Sequence, residues 1–293
     1  MSESSLAAIF AFGSAVSVGV FSLVVRRGQQ HGNAMTGVFI GLIVTLPFML
    51  VGAVVFWDPA WWNPWAVLLF VFSGALGPCL GRVLMYQGIH YLGVARAVPM
   101  MATAPLFTGI LAVVFLGERP GPYIWAGTLL IAVGCAAIAM KRGGEAHWDR
   151  RYIWVPFAAV ASFGVANIFR KAGIDIVPSP LFGITVSSLA GFLFLLPAAR
   201  LLPAAHRPRL RWGKAWYFYG LCGTLNTLAF SLHFFAIRHG DLTIVTPLSS
   251  TSPFFALILS GLLMRDIEQV TGRIVAGTAF VVLGGALIAW RVL

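Results

Sequence analysis

The chain has 293 residues, of which 59% are hydrophobic and only 10% charged, and its mean hydropathy is +0.89. This composition excludes a soluble domain with a water-facing surface. The 20 Lys and Arg against 9 Asp and Glu point, at such low charge density, to basic loops beside an anionic leaflet rather than to a nucleic-acid groove, so nucleic acid is not expected as a partner and membrane lipid is.

Ten uncharged apolar runs follow one another at 4–25, 34–57, 59–81, 97–117, 120–140, 152–169, 176–199, 215–232, 242–264 and 274–290. A helix crossing a hydrocarbon core of roughly 30 Å takes about 20 residues, so ten crossings leave no room for a sizeable aqueous domain. None of the runs alternates like a barrel strand, so their backbone amides are best satisfied within helices. The first run follows MSESS, which has Glu3 and no basic residue, and reads as a retained helix rather than a secretion signal. The third run is expected to continue through Arg82 toward Tyr86, the eighth to include His233 and end near Arg238, and the tenth to gain a turn upstream if Arg273 snorkels. Trp57, Trp61, Trp62, Trp65, Trp148, Trp154, Trp212, Trp216 and Trp290 stand near run ends as interfacial anchors. Cys79, Cys135 and Cys222 lie in separate runs and read as buried thiols, and no metal or cofactor constellation accompanies them.

An internal repeat organises these runs. Residues 98–107 lie over 246–255 with Pro99 on Pro247 and Pro105 on Pro253; after a two-residue slip, Gly127 falls on Gly277 and Gly134 on Gly284. The units are expected at residues 1–143 and 144–293. Five crossings per unit force the copies to enter the membrane from opposite sides, giving an all-α polytopic membrane protein with ten transmembrane helices in two inverted five-helix repeats. That architecture favours a carrier with a central site. Basic residues concentrate in alternate connections, with Arg26, Arg27, Lys141, Arg142, Arg150, Arg151, Arg200, Arg207, Arg209, Arg211, Lys214, Arg265 and Arg273 against Arg119, Arg170, Lys171, Arg238 and Arg291. The positive-inside rule then places both termini outside.

The ninth run carries Thr246, Ser249 and Ser250 around Pro247 and Pro253. Proline frees a carbonyl one turn back, and hydroxyls beside a polar cavity can satisfy the opened backbone. The four prolines are thus candidate breaks or gates. Arg82, following Gly77 and Gly81, can hold an anionic group or snorkel to the interface. Asn226 and His233 are seven residues apart on one helix face, with Thr227 beside them; substrate contact, proton exchange and simple interhelical bonding all remain open. Asn167, Thr103 and Tyr86 complete the candidate pathway. Every carboxylate falls at a terminus, connection or helix end, which leaves His233 as the candidate for proton coupling. No nucleophile elbow, H-E-x-x-H or phosphate-binding glycine loop suggests an enzyme.

With these residues in view, the chain resembles the EamA family of the drug/metabolite transporter superfamily. The likeness rests on Ala97, Val98 and Pro99 through Pro105, on Leu116 to Arg119, on the stretch from Gly127 to Gly134, and on Pro247 through Pro253 followed by Met264, Arg265 and Asp266. The resemblance implies a multi-pass carrier of the inner membrane, if the source is bacterial, often exporting amino acids or other small metabolites. Export of lipophilic cations, and a scaffold or sensor that transports nothing, are the alternatives. An arginine in the pathway favours anionic or zwitterionic cargo, and the sequence leaves the oligomeric state open.

Overall fold

The computed structural model describes residues 3–28, 30–55, 58–92, 97, 100–139, 150–201, 207–208, 210, 212–263 and 272–292, and their regular structure is entirely helical. The first half supplies α1 (Glu3–Gly28), α2 (Ala34–Val55), α3 (Pro64–Gly74), a π-helical segment (Ala75–Gly81), α4 (Arg82–Leu92), α5 (Ala104–Leu116) and α6 (Pro122–Ala139). The second supplies α7 (Trp154–Ile176), α8 (Pro180–Leu201), α9 (Lys214–His239), α10 (Leu242–Ser249), α11 (Ser252–Leu263) and α12 (Gly272–Val292). The third span is α3, the π segment and α4 in succession, and the ninth is α10 followed by α11, so these helices make up ten spans. Seven of the described stretches are long and apolar enough to cross a membrane unaided, and α5 and α6 are shorter apolar helices.

Local chemistry sets the boundaries. At the start of α3, Pro64 occupies a position where a missing amide costs nothing, and the Asn63 side chain accepts from the amides of Trp65 and Ala66 at 3.0 and 3.3 Å. Gly117 ends α5 with φ of 70°, a left-handed stop that glycine adopts without strain. Within the third span, Pro78 interrupts the hydrogen-bond ladder, the chain widens into the π turn, and the Ser162 hydroxyl donates to the Leu76 carbonyl at 2.8 Å.

The packing repeats when every span is moved on by five. Helix α1 lies along α9, as α7 lies along the third span; α2 packs on α9, as α8 packs on the third span; α6 packs on α12. The last pair is its own counterpart, and glycines let it close. A Cβ at Gly134 would stand 2.6 Å from the Gly277 oxygen, and one at Gly277 would stand 2.8 Å from the Gly134 oxygen. Gly127 and Gly284 oppose each other in the same way, at 2.7 and 2.6 Å. Each residue therefore meets the repeat counterpart of the other, as in an interface between identical subunits. Similarly, a Cβ at Gly223 would lie 3.0 Å from the Gly41 oxygen, and one at Gly191 would lie 3.1 Å from the Gly74 oxygen.

Of the expected ends, those of the eighth and tenth spans hold, and those of the third and sixth move. Helix α4 carries the third span beyond Tyr86 to Leu92, α9 runs through His233 to His239, and α12 begins at Gly272 with Arg273 inside it. The sixth span, expected to stop at residue 169, continues to Ile176. Arg170 and Lys171 are therefore not connection charges; the former is only 4% exposed. A helix of 23 residues accommodates them because both heads face protein partners rather than lipid. Trp62, Trp65, Trp154, Trp212 and Trp290 are exposed, as interfacial anchors require, and Trp212 stacks on Trp216 with ring centroids 4.4 Å apart. Trp57 and Trp148 lie outside the described residues. Cys79, Cys135 and Cys222 are free and buried.

Candidate functional site

The two proline-bearing spans break by the same device. In the first unit the Thr103 amide and hydroxyl both donate to the Met100 carbonyl, at 3.2 and 2.7 Å, immediately before α5 and Pro105. In the second, the Thr251 amide and hydroxyl donate to the Leu248 carbonyl at 3.2 and 2.7 Å, immediately before α11 and Pro253. Thr103 and Thr251 occupy equivalent places in the repeat. The second break is further secured by the Ser250 hydroxyl, which donates to the Thr246 carbonyl at 2.8 Å, and by the Cys135 thiol, which donates to the Ser250 carbonyl at 3.3 Å. Pro247 lies inside α10. Thr103, Thr251 and Ser250 thus spend their hydroxyls on backbone opened at the breaks. The Thr246 and Thr243 hydroxyls are buried and have no hydrogen-bond partner among the described residues. Pro99 and the Tyr86 side chain lie outside the described residues.

Polar side chains meet where the third span, α7, α9 and α10 approach. Arg82 Nη2, at the start of α4, donates to Asn226 Oδ1 of α9 at 3.4 Å. Further along α9, His233 Nδ1 and the Ser249 hydroxyl at the end of α10 share a hydrogen bond of 3.1 Å, its direction set by the imidazole tautomer. Asn226 and His233 therefore reach different partners rather than one another. Thr227 turns aside: its hydroxyl donates to the Gly223 carbonyl at 2.8 Å and lies 2.9 Å from that of Thr45, within the packing of α2 on α9.

Sequence reasoning missed Arg170. Its Nη1 donates to Asn167 Oδ1 at 2.6 Å, and the guanidinium carbon stands 4.8 and 4.6 Å from the ring centroids of Phe230 and Phe234 on α9. His233 precedes Phe234 on the same helix. Lys171 turns the other way, donating to the Ile237 and Gly240 carbonyls at 3.0 and 3.4 Å and pairing with Asp175 at 3.3 Å, so it closes the C-terminal end of α9. The available signals were the three-residue spacing from Asn167 to Arg170 and the four-residue spacing from Lys171 to Asp175, which place both pairs on a continuing helix.

Glu118 stands in the connection between α5 and α6, as expected of a carboxylate here, yet it is buried. Its two oxygens accept from the amides of Leu242 and Thr243, at 2.8 and 2.9 Å. The carboxylate that follows the left-handed Gly117 thus caps the first turn of α10, joining the two units at one end of their broken spans.

Three comparisons bear on what this bundle is. A solved structure described only as "Crystal structure of protein" has the same fold, with a TM-score of 0.78 at 17% identity over 97% of this chain and 98% of that one. A "Probable terminal-alkyne amino-acid exporter" of Streptantibioticus cattleyicolor is 32% identical over 142 residues, a match spanning 46% of this chain and 44% of that relative. The model of the EamA-like transporter family matches twice, at residues 5–140 and 150–290. A ten-span chain with that match in each half belongs to the EamA-like transporter family, and with it to the drug/metabolite transporter superfamily.

Proposed function

We propose that this protein exports an α-amino acid or other small polar metabolite by alternating access at a central site, with residues 1–143 and 144–293 rocking as two units. The observation that carries the reading is the contact of Arg82 from the first unit with Asn226 from the second. A charged group in such a place belongs to a substrate pathway more often than to packing. Asn167, His233 and Ser249 extend the pathway, and Thr103, Pro105, Thr246, Pro247, Ser250 and Pro253 form the breaks about which it opens. The relative's name, which refers to an amino-acid exporter, agrees in substrate class. An interior arginine disfavours a lipophilic cation by repulsion.

Protons are the proposed coupling ion, with His233 as the exchanging group. In bacteria the protein would work in the inner membrane. Purified protein in liposomes, offered a mixed metabolite panel with and without a pH gradient, tests the reading. Saturable movement of amino acids is expected. Movement of tetraphenylphosphonium alone, or of no organic solute by folded protein, would overturn it.

A further inference from the structure

The geometry points to Arg170 as the residue that receives the carboxylate of the transported molecule. This inference deepens the transport reading and rests on it. Arg170 is 4% exposed, and no Asp or Glu pairs with it among the described residues; Asp175 is taken by Lys171 and Glu3 by His239. A buried cation without a counter-charge is costly, and in a membrane interior it persists where function requires it.

The donors show where the counter-charge would sit. Nη1 is used by Asn167, whereas Nε is buried without an acceptor and Nη2 makes no hydrogen bond among the described residues. Nε and Nη2 share one edge of the guanidinium, and that edge matches the two oxygens of a carboxylate. Nη2 stands beside Gly77 in the π segment, where a Cβ would come into contact with it at 3.7 Å and crowd Ala166 at 3.3 Å, so a glycine there keeps side-chain atoms off this edge. The guanidinium carbon lies over the rings of Phe230 and Phe234, which together with the Asn167 bond hold the group in place. Among the described residues the Nε–Nη2 edge is the side of the guanidinium left without a hydrogen bond. Gly77 belongs to the π segment that contains Pro78.

The experiment uses three probes with one carbon skeleton: propargylglycine, 4-pentynoate, which lacks the ammonium group, and propargylglycinamide, which lacks the carboxylate. The common α-amino acids are run beside them. Binding to the purified full chain is read by ligand-dependent thermal shift, and counterflow is read in liposomes. The wild type is expected to bind acids and not the amide. Arg170→Gln should weaken acid binding about tenfold or more, the loss that follows when a charge-assisted pair is removed. Binding of pentynoate would show that the carboxylate suffices; binding of propargylglycine alone would show that a zwitterion is required, and both outcomes support the assignment if Arg170→Gln removes them. Equal acid binding by wild type and Arg170→Gln, or equal binding of amide and acid, overturns it while leaving amino-acid transport standing. Binding of tetraphenylphosphonium and no acid overturns both readings. Should Arg170→Gln fail to yield monodisperse protein, Arg170→Lys decides, because lysine keeps the charge and loses the two-pronged edge; unchanged affinity for acids would then refute the inference.

Discussion

The seam between α6 and α12 and the polar centre between the third span, α7, α9 and α10 obey opposite rules. At the seam the repeat is kept: Gly127 and Gly134 meet Gly284 and Gly277, each against the other's counterpart. At the centre it is abandoned. With Gly74 placed on Gly223, Asn226 falls on Gly77, Ser231 on Arg82 and His233 on Leu84, so the polar residues of one unit face non-polar or smaller equivalents in the other. The π segment of the third span likewise has no counterpart in the continuous α9. Backbone approach is needed twice and is conserved in both copies, whereas a cargo has one shape and one charge distribution and calls for an unsymmetrical site.

The largest effect is expected where this symmetry is tightest. Gly134→Val forces a branched side chain against the Gly277 oxygen and should cost about 3 kcal/mol, read as a lower Tm in detergent or as loss of monodisperse protein. Gly277→Val should match it; if one of the two is tolerated, the seam is not the reciprocal contact described. Glu118→Gln comes next. It removes the charge from a cap on two buried amides of α10 and should lower stability by roughly 1–2 kcal/mol. An unchanged Tm would mean that the two units are not held together there. Lys171→Met, which strips the closing contacts from α9, should cost only about 0.5–1 kcal/mol because its partner Asp175 is half exposed and the pair is screened. Thermal unfolding of the variant checks this, and a larger loss would place Lys171 with the central group rather than at its edge.

Much of this plan was readable in the residues. Charge-free runs gave the ten spans, and paired prolines and glycines gave the repeat, because both reflect demands that lipid makes on every stretch of backbone. Arg170 was not readable as an interior residue. A charge ends an apolar run by rule, yet a helix that continues to Ile176 can carry a guanidinium if Asn167 and two aromatic faces meet it from inside. Glu118 escaped for a related reason: its partners are backbone amides of Leu242 and Thr243 in the other unit, and no side-chain pattern announces a backbone partner. The Ser250 hydroxyl was read as serving opened backbone and does so, whereas Thr103 was read as a pathway residue and its hydroxyl also goes to backbone; the residues alone did not tell a supporting bond from a cargo contact.

The central claim is that the unsymmetrical centre carries transport and the symmetrical seam carries the fold. Counterflow of radiolabelled neutral amino acids into liposomes, normalised to folded protein, tests it most directly when Arg82→Gln is set beside Gly134→Ala. The account predicts that Arg82→Gln keeps the wild-type Tm and loses counterflow roughly tenfold or more, while Gly134→Ala lowers Tm and keeps counterflow per folded molecule. Wild-type counterflow in Arg82→Gln would contradict it.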